Sequence, residues 1–242
     1  EERVAAVVRA CRERSVPIRI GVNGGSLEKE ILARHGGVTP EALVESALRH
    51  ARLLNKFDFD DICLSVKASD VPTTVAAYRL LAERTDSPLH LGITEAGTEY
   101  MGIIKSAAGI GALLLDGIGD TIRVSLTADP EREVRAGIAL LRALGLRKTG
   151  AQVISCPTCG RTQINLIEIA AEVEKRLEGI KRPITVAVMG CAVNGPGEAR
   201  QADYGIAGGR GEGVLFKGGR VLRKVPMEHL VDALMDLIES DL

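Results

Sequence analysis

Four apolar, β-branched runs recur along the first half of the chain: PIRIGVN (17–23), DICLSVK (61–67), LHLGITEAG (89–97) and DTIRVSLTA (120–128). Helical patterns separate them, among them PEALVESALRHARLL, VPTTVAAYRLLAER and EYMGIIKSAAGIGALLLDG. Near-continuous hydrophobic strands alternating with helices predict a parallel sheet covered on both faces, either doubly wound or a (β/α)8 barrel. Four units are half of a barrel, which takes about 250 residues when whole. On the barrel reading, the chain carries the C-terminal half of a TIM barrel. The chain opens inside a helical pattern, with Val4, Val7, Val8 and Cys11 on one face and no cap before them, so the reading is of a chain truncated at its N-terminal side.

Near ALGLRKTGAQ (143–152) the rhythm changes. There follow a strand (AQVIS), a helix with Leu166, Ile169, Ala170, Val173 and Leu177 on one face, and a strand (ITVAVMG). Short strands DYGIAGG and GVLFKGGRVLRKV and a last helix started by Pro226 complete the chain. This predicts two domains, a partial barrel over 1–148 and a compact α+β module over 149–242.

The 242 residues are 45% apolar and 26% charged, a globular balance, and Lys plus Arg number 31 against 32 for Asp plus Glu. With only 2% aromatic residues there is neither a basic field nor a set of stacking platforms for nucleic acid. No apolar run approaches the roughly 20 residues that cross a bilayer, and no signal peptide opens the chain, so the expectation is a cytoplasmic protein without a membrane partner. Five scattered cysteines argue against a secreted disulfide framework and toward metal or redox use of some of them.

Polar residues stand at the carboxyl ends of all four strands: Asn23, Lys67, Thr94 with Glu95, and Ser125. Active sites of α/β sheets and barrels lie at that end. Side chains alternate along a strand, so Arg19 and Asn23 share a face, as do Arg123 and Ser125. Arg19, Lys67 and Arg123 together suit a phosphorylated substrate.

In the second module the pair in ISCPTCGRTQ, Cys156 and Cys159, opens three readings: half of a zinc site, a redox couple, or two ligands of an iron-sulfur cluster. MGCAVNGPGEA adds Cys191 and, seven residues on, Glu198. A structural zinc site closes with four N or S ligands, whereas three thiolates and a carboxylate suit a cluster with one accessible iron. Cys11 and Cys63 read as small buried hydrophobes. His35, His50, His90 and His229 form no spaced pair and read as surface or packing residues.

Taken in order, GVNGGSL, SVKAS, GITEAG, GIGDTIRVSLT, ISCPTCGRT and CAVNGPGEA closely resemble the 4-hydroxy-3-methylbut-2-enyl diphosphate synthase family, also called IspG or GcpE, across essentially the whole chain. The resemblance implies a TIM barrel and a C-terminal domain similar to sulfite-reductase modules. It implies a 4Fe-4S cluster held by Cys156, Cys159, Cys191 and Glu198. Arg19, Asn23, Lys67, Arg123 and Ser125, with Thr94 beside them, match the family's diphosphate-binding positions, and Glu95 and Glu198 its catalytic carboxylates. The reaction implied is reductive ring opening of 2-C-methyl-D-erythritol 2,4-cyclodiphosphate in isoprenoid biosynthesis, with ferredoxin or flavodoxin as electron donor and a homodimer as the assembly. The short stretch between Ser125 and Cys156 leaves no room for the extra domain of plant members and implies the bacterial two-domain form. Two other classes compete: a zinc-stabilised, non-catalytic interaction domain, and a small electron carrier. Anaerobic purification separates the first, since a zinc protein is colourless and an iron-sulfur protein brown; in the second, whose clusters are normally held by four Cys, the Arg and Lys residues would be idle.

Overall fold

The computed structural model describes residues 1–191 and 199–242. It divides into two compact units, Glu1–Arg147 and Lys148–Leu242.

The first unit runs α1 (Glu2–Glu13), β1 (Ile18–Asn23), α2 (Lys29–His35), α3 (Pro40–Asn55), β2 (Ile62–Lys67), α4 (Val71–Ala82), β3 (His90–Leu91), α5 (Glu99–Leu115), β4 (Thr121–Ile122) and α6 (Pro130–Ala143). The helix starts are written in the chain. Thr39 accepts from Ala42 N–H at 3.2 Å ahead of Pro40, and the Asp70 carboxylate accepts from Thr73 N–H at 2.8 Å ahead of Pro72. Each satisfies one orphan amide of a first turn.

β1 and β2 pair in parallel, Ile18 with Ile62 through Asn23 with Lys67. β3 and β4 pair in parallel over two rungs, His90 with Thr121 and Leu91 with Ile122, and a Leu64–Leu89 bridge joins the two ladders. The core lies between the strands and their crossover helices, where Ile20, Val22, Leu64 and Val66 meet Leu43, Val44, Tyr78, Leu81, Ile110 and Leu113.

The third and fourth strands are much shorter than the apolar runs that announce them. The pattern LHLGITEAG continues to Gly97, but the backbone turns first: Glu95 has φ +51° and Gly97 φ +105°, which no strand accommodates. The segment after Ile122 likewise leaves the ladder and rejoins only at a Thr98–Thr127 bridge.

The second unit has a five-stranded sheet in the order β5-β6-β7-β8-β9. These strands are β5 (Ala151–Ser155), β6 (Ile184–Met189), β7 (Tyr204–Ala207), β8 (Glu212–Lys217) and β9 (Arg220–Pro226). The first three are parallel and the last two antiparallel. Helices α7 (Leu166–Arg176) and α8 (Leu230–Ser240) cover one face, burying Val173, Leu230, Leu234 and Ile238 against Val186, Val188 and Ile206. Two expectations are corrected here. GVLFKGGRVLRKV is a hairpin, because Gly218 and Gly219 both take positive φ (+53° and +74°) and Lys217 pairs with Arg220, the geometry of a two-residue primed turn. Pro226 starts no helix: at ψ 143° it ends β9, a 3-10 turn (Met227–His229) intervenes, and α8 begins at Leu230.

The architecture is mixed α/β in both units. Among the described residues no helix is long and apolar enough to cross a membrane.

Candidate functional site

In the first unit the polar face of β1 carries Arg19, Gly21 and Asn23, all exposed, while Ile20 and Val22 point into the core. In-register pairing sets Asn23 beside Lys67. Lys67 is 6% exposed, and its chain runs across Gly92. A Cβ on Gly92 would stand 3.0 Å from both Cε and Nζ of Lys67 and 2.9 Å from the Arg123 carbonyl oxygen. The glycine is thus the notch that lets a buried ammonium reach from β2 toward β4. There the Arg123 guanidinium donates from Nε to Ser125 Oγ at 3.0 Å.

The electrostatics of this cluster are one-sided. Burial, then Arg123 and then Arg19, lower the Lys67 pKa from its ordinary 10.5 to about 8. Among the described residues no carboxylate stands within ion-pair distance of Arg19, Lys67 or Arg123. Arg19 and Arg123 are exposed, but a buried Lys67 ammonium beside two like charges and without a counter-charge is costly unless an anion completes it. Such an arrangement can hold a phosphate group and stabilise negative charge developing on its oxygens.

Thr94 and Glu95 are placed next door. With Gly24, Gly25, Ala68 and Asp70 they line a cavity of about 280 Å³ at the carboxyl ends of β1 and β2, and the cations are not among its lining residues. The positive φ of Glu95 is a backbone strain held at the carboxyl end of a strand, a common mark of functional sites. A Cβ on Gly25 would lie 3.9 Å from the Glu95 carboxylate. The structure therefore brings Arg19, Asn23, Lys67, Arg123 and Ser125 together and sets Thr94 and Glu95 in the adjoining recess.

Sequence reasoning missed His90. It is 5% exposed, and the β3–β4 rungs put it one step below Gly92 on the same face. Its Nδ1 lies 2.8 Å from Thr121 Oγ1, and its carbonyl accepts from Tyr78 O–H at 2.5 Å, with Ser65 Oγ a further 3.1 Å from that hydroxyl. Burial first, then Lys67, Arg19 and Arg123, drop its pKa to about 4, so it is neutral. A lone histidine carries no spacing signal, but strand alternation with Gly92 would have placed it on the cation face.

In the second unit Cys156 follows β5 directly, and Cys191 stands two residues beyond β6. Gly190 N–H donates to Cys156 Sγ at 3.2 Å, and Gln163 N–H donates to the Gly190 carbonyl at 2.9 Å, which folds the C-x-x-C turn onto the end of β6. Thr162 Oγ accepts from Cys159 N–H at 3.0 Å, and its hydroxyl lies 4.0 Å from Cys159 Sγ. The Arg161 backbone N–H first, and then the Thr162 hydroxyl, lower the Cys159 thiol pKa. The donors are thus of the right chemistry for a thiolate-bound metal group, backed by amides that stabilise sulfur charge. Among the described residues, however, no set of three or more His, Cys, Asp or Glu side chains converges as a metal site. Glu198 lies outside the described residues.

Comparison with known proteins adds the following. A family model described as the GcpE TIM-barrel domain matches residues 1–138, and one described as the GcpE protein C-terminal domain matches residues 152–240. A Geobacter sulfurreducens protein named 4-hydroxy-3-methylbut-2-en-1-yl diphosphate synthase (flavodoxin) is 65% identical over 238 residues, covering 98% of this chain and 67% of the relative. Proteins of the same name from Caldanaerobacter subterraneus and Clostridium perfringens are 62% and 59% identical, covering 99% of this chain and 68% of each relative. The chain spans about two thirds of the length of these relatives.

Proposed function

The chain belongs to the GcpE family, and from that premise we propose that it is a 4-hydroxy-3-methylbut-2-en-1-yl diphosphate synthase, an oxidoreductase of isoprenoid biosynthesis. Its substrate is 2-C-methyl-D-erythritol 2,4-cyclodiphosphate, opened by two electrons with loss of water. The observation that carries the reading in this chain is the uncompensated set of Arg19 on the polar face of β1, Lys67 at the carboxyl end of β2 and Arg123 just after β4. A zinc-stabilised interaction domain would give that costly cluster no task, and the relatives do not favour it.

Arg19, Lys67 and Arg123 bind the diphosphate, with Asn23, Ser125 and Thr94 fixing its orientation. As the ring C–O bond breaks, negative charge grows on the departing phosphate oxygen, and the same cations stabilise it without moving. Glu95, in the recess beside them, handles a proton at the departing hydroxyl. Cys156, Cys159, Cys191 and Glu198 hold a 4Fe-4S cluster, and such a cluster supplies electrons to the substrate. A carboxylate is a harder and more replaceable ligand than a thiolate, so Glu198 would be the most exchangeable of the four residues that would hold the cluster. Flavodoxin, named for the relatives, is the donor we assign, with ferredoxin the other candidate. The finer architecture we assign is a TIM-barrel unit, a sulfite-reductase-like cluster unit and a homodimer.

The test is anaerobic reconstitution with iron and sulfide. Wild-type protein should turn brown and give an iron-sulfur resonance signal when reduced. Cys156→Ser, Cys159→Ser and Cys191→Ser should each lose the cluster or leave it labile, while Glu198→Ala should keep most of its iron and lose turnover. A colourless protein that binds zinc, or cysteine variants with unaltered iron, would overturn the assignment.

A further inference from the structure

The cation site contains one buried group that has no task in it. His90 presents Nδ1 to Thr121 Oγ1, while its Nε2 is buried and has no hydrogen-bond partner among the described residues. Its main chain is fixed on both sides: the carbonyl accepts from Tyr78, and the β3–β4 rungs bind the strand. The ring therefore stays two residues before Gly92, the position Lys67 crosses, and Lys67, Arg19 and Arg123 all act on it electrostatically.

A neutral imidazole has one N–H and one acceptor nitrogen. If Thr121 O–H donates to Nδ1, the ring hydrogen sits on Nε2, and that N–H lies in the field of Lys67, Arg19 and Arg123. No cation can satisfy it; only an acceptor oxygen can, and the acceptor favoured among three positive charges is an anionic one. Native structures leave few buried polar atoms unpaired, and each that remains calls for an explanation, a bound ion or water among them. Lys67 ends in a flexible four-carbon chain lying over Gly92, so its ammonium can follow an entering anion.

We propose that His90 is a further ligand of the bound diphosphate: its unpartnered Nε2–H donates to an oxygen of the anion that the Lys67 ammonium also holds. The inference rests on the diphosphate reading of the cluster and adds to it a neutral donor that fixes orientation without adding charge. It makes His90 a specificity-determining residue for tetrahedral oxyanions at this depth of the site.

The experiment uses inorganic pyrophosphate as probe, with calorimetry for affinity and side-chain 15N resonances of histidine for the ring; the chain has 4 histidines, so the spectrum is simple. Pyrophosphate should shift the Nε2 resonance of His90, whose couplings in the free protein should report the Nε2–H tautomer. His90→Leu, which keeps volume and loses the donor, should weaken binding about tenfold, equivalent to about 1.4 kcal/mol. His90→Gln, whose amide reaches the same place, should recover most of that loss. Lys67→Ala separates the two layers of the reading. If it binds as wild type does, the anion site itself is wrong. If Lys67→Ala weakens binding but His90→Leu does not, or the His90 resonances stay still, the site stands and the His90 proposal falls. Should His90→Leu fail to fold, the wild-type resonances decide alone.

Discussion

Gly92→Ala should dismantle the cation cluster without touching any charge. An added Cβ would stand 2.9 Å from the Arg123 carbonyl oxygen and 3.0 Å from Cε and Nζ of Lys67, closer than side-chain carbons pack. The two obstacles differ in kind. The carbonyl belongs to a chain segment whose Arg123 N–H donates to the Leu91 carbonyl at 2.9 Å, so it retreats only by loosening the short β3–β4 ladder. The lysine tip is flexible and swings away. Alanine stiffens the unfolded chain and on that account stabilises by about 0.4–1 kcal/mol. Overpacking costs about 1–3 kcal/mol, so the net expectation is a loss of roughly 1–2 kcal/mol in urea unfolding. Expelling the ammonium removes one charge-assisted contact, worth about 1.5–3 kcal/mol, and pyrophosphate should bind about 10–100-fold more weakly by calorimetry. Gly21→Ala is the control, because a Cβ there meets nothing within 4 Å, and its stability should stay near wild type. If Gly92→Ala matched Gly21→Ala in stability and wild type in affinity, the notch would have no role and the reasoning would fail.

Two further outcomes follow from the same unit. The Lys67 pKa of about 8 lies below its ordinary 10.5, so between those values the unfolded chain binds more protons than the native state. Stability should therefore rise with pH across that window, by up to about 3 kcal/mol relative to Lys67→Met. Pyrophosphate affinity should fall as pH passes about 8 and the ammonium discharges; Lys67→Arg, charged throughout, should flatten that fall. Tyr78→Phe removes the hydroxyl that joins the Ser65 hydroxyl and the His90 carbonyl. With all three buried, thermal denaturation should report a loss of about 1–3 kcal/mol, and unaltered stability would show the hydroxyl to be idle.

How legible the chain was differed by the kind of signal. Runs with β-branched residues and a capped helix after them, such as ICLSVK before Asp70, gave both strand and helix start, because side-chain shape and capping are local properties. The early end of β3 was not legible, since nothing local in GITEAG says that Glu95 takes a positive φ; that strain is imposed by surrounding structure. Gly218 and Gly219 did carry the hairpin, and reading them as part of one strand ignored the turn chemistry of paired glycines. The cations were found because charge at strand ends is conspicuous. His90 was overlooked because its meaning lies in its rung and in its neighbours' charges, which only pairing reveals.

The outer strand β9 has a consequence for how this protein behaves in a crowded solution. It is the edge strand of the second unit's sheet: among the described residues no further strand pairs with it, and Val221 and Leu222 are each about half exposed. Arg220, Arg223 and Lys224 interrupt the apolar pair, Lys224 is tied across to Glu212, and Pro226 removes a donor at the end. The partner strand also shifts register at Leu215/Phe216, so the ladder is not straight. A second copy approaching edge to edge would have to bring three cations against their own kind and match an irregular line. The strand that finishes the sheet thus also discourages it from growing, and a variant that neutralised Arg220, Arg223 and Lys224 would turn a closed sheet into a template for fibres.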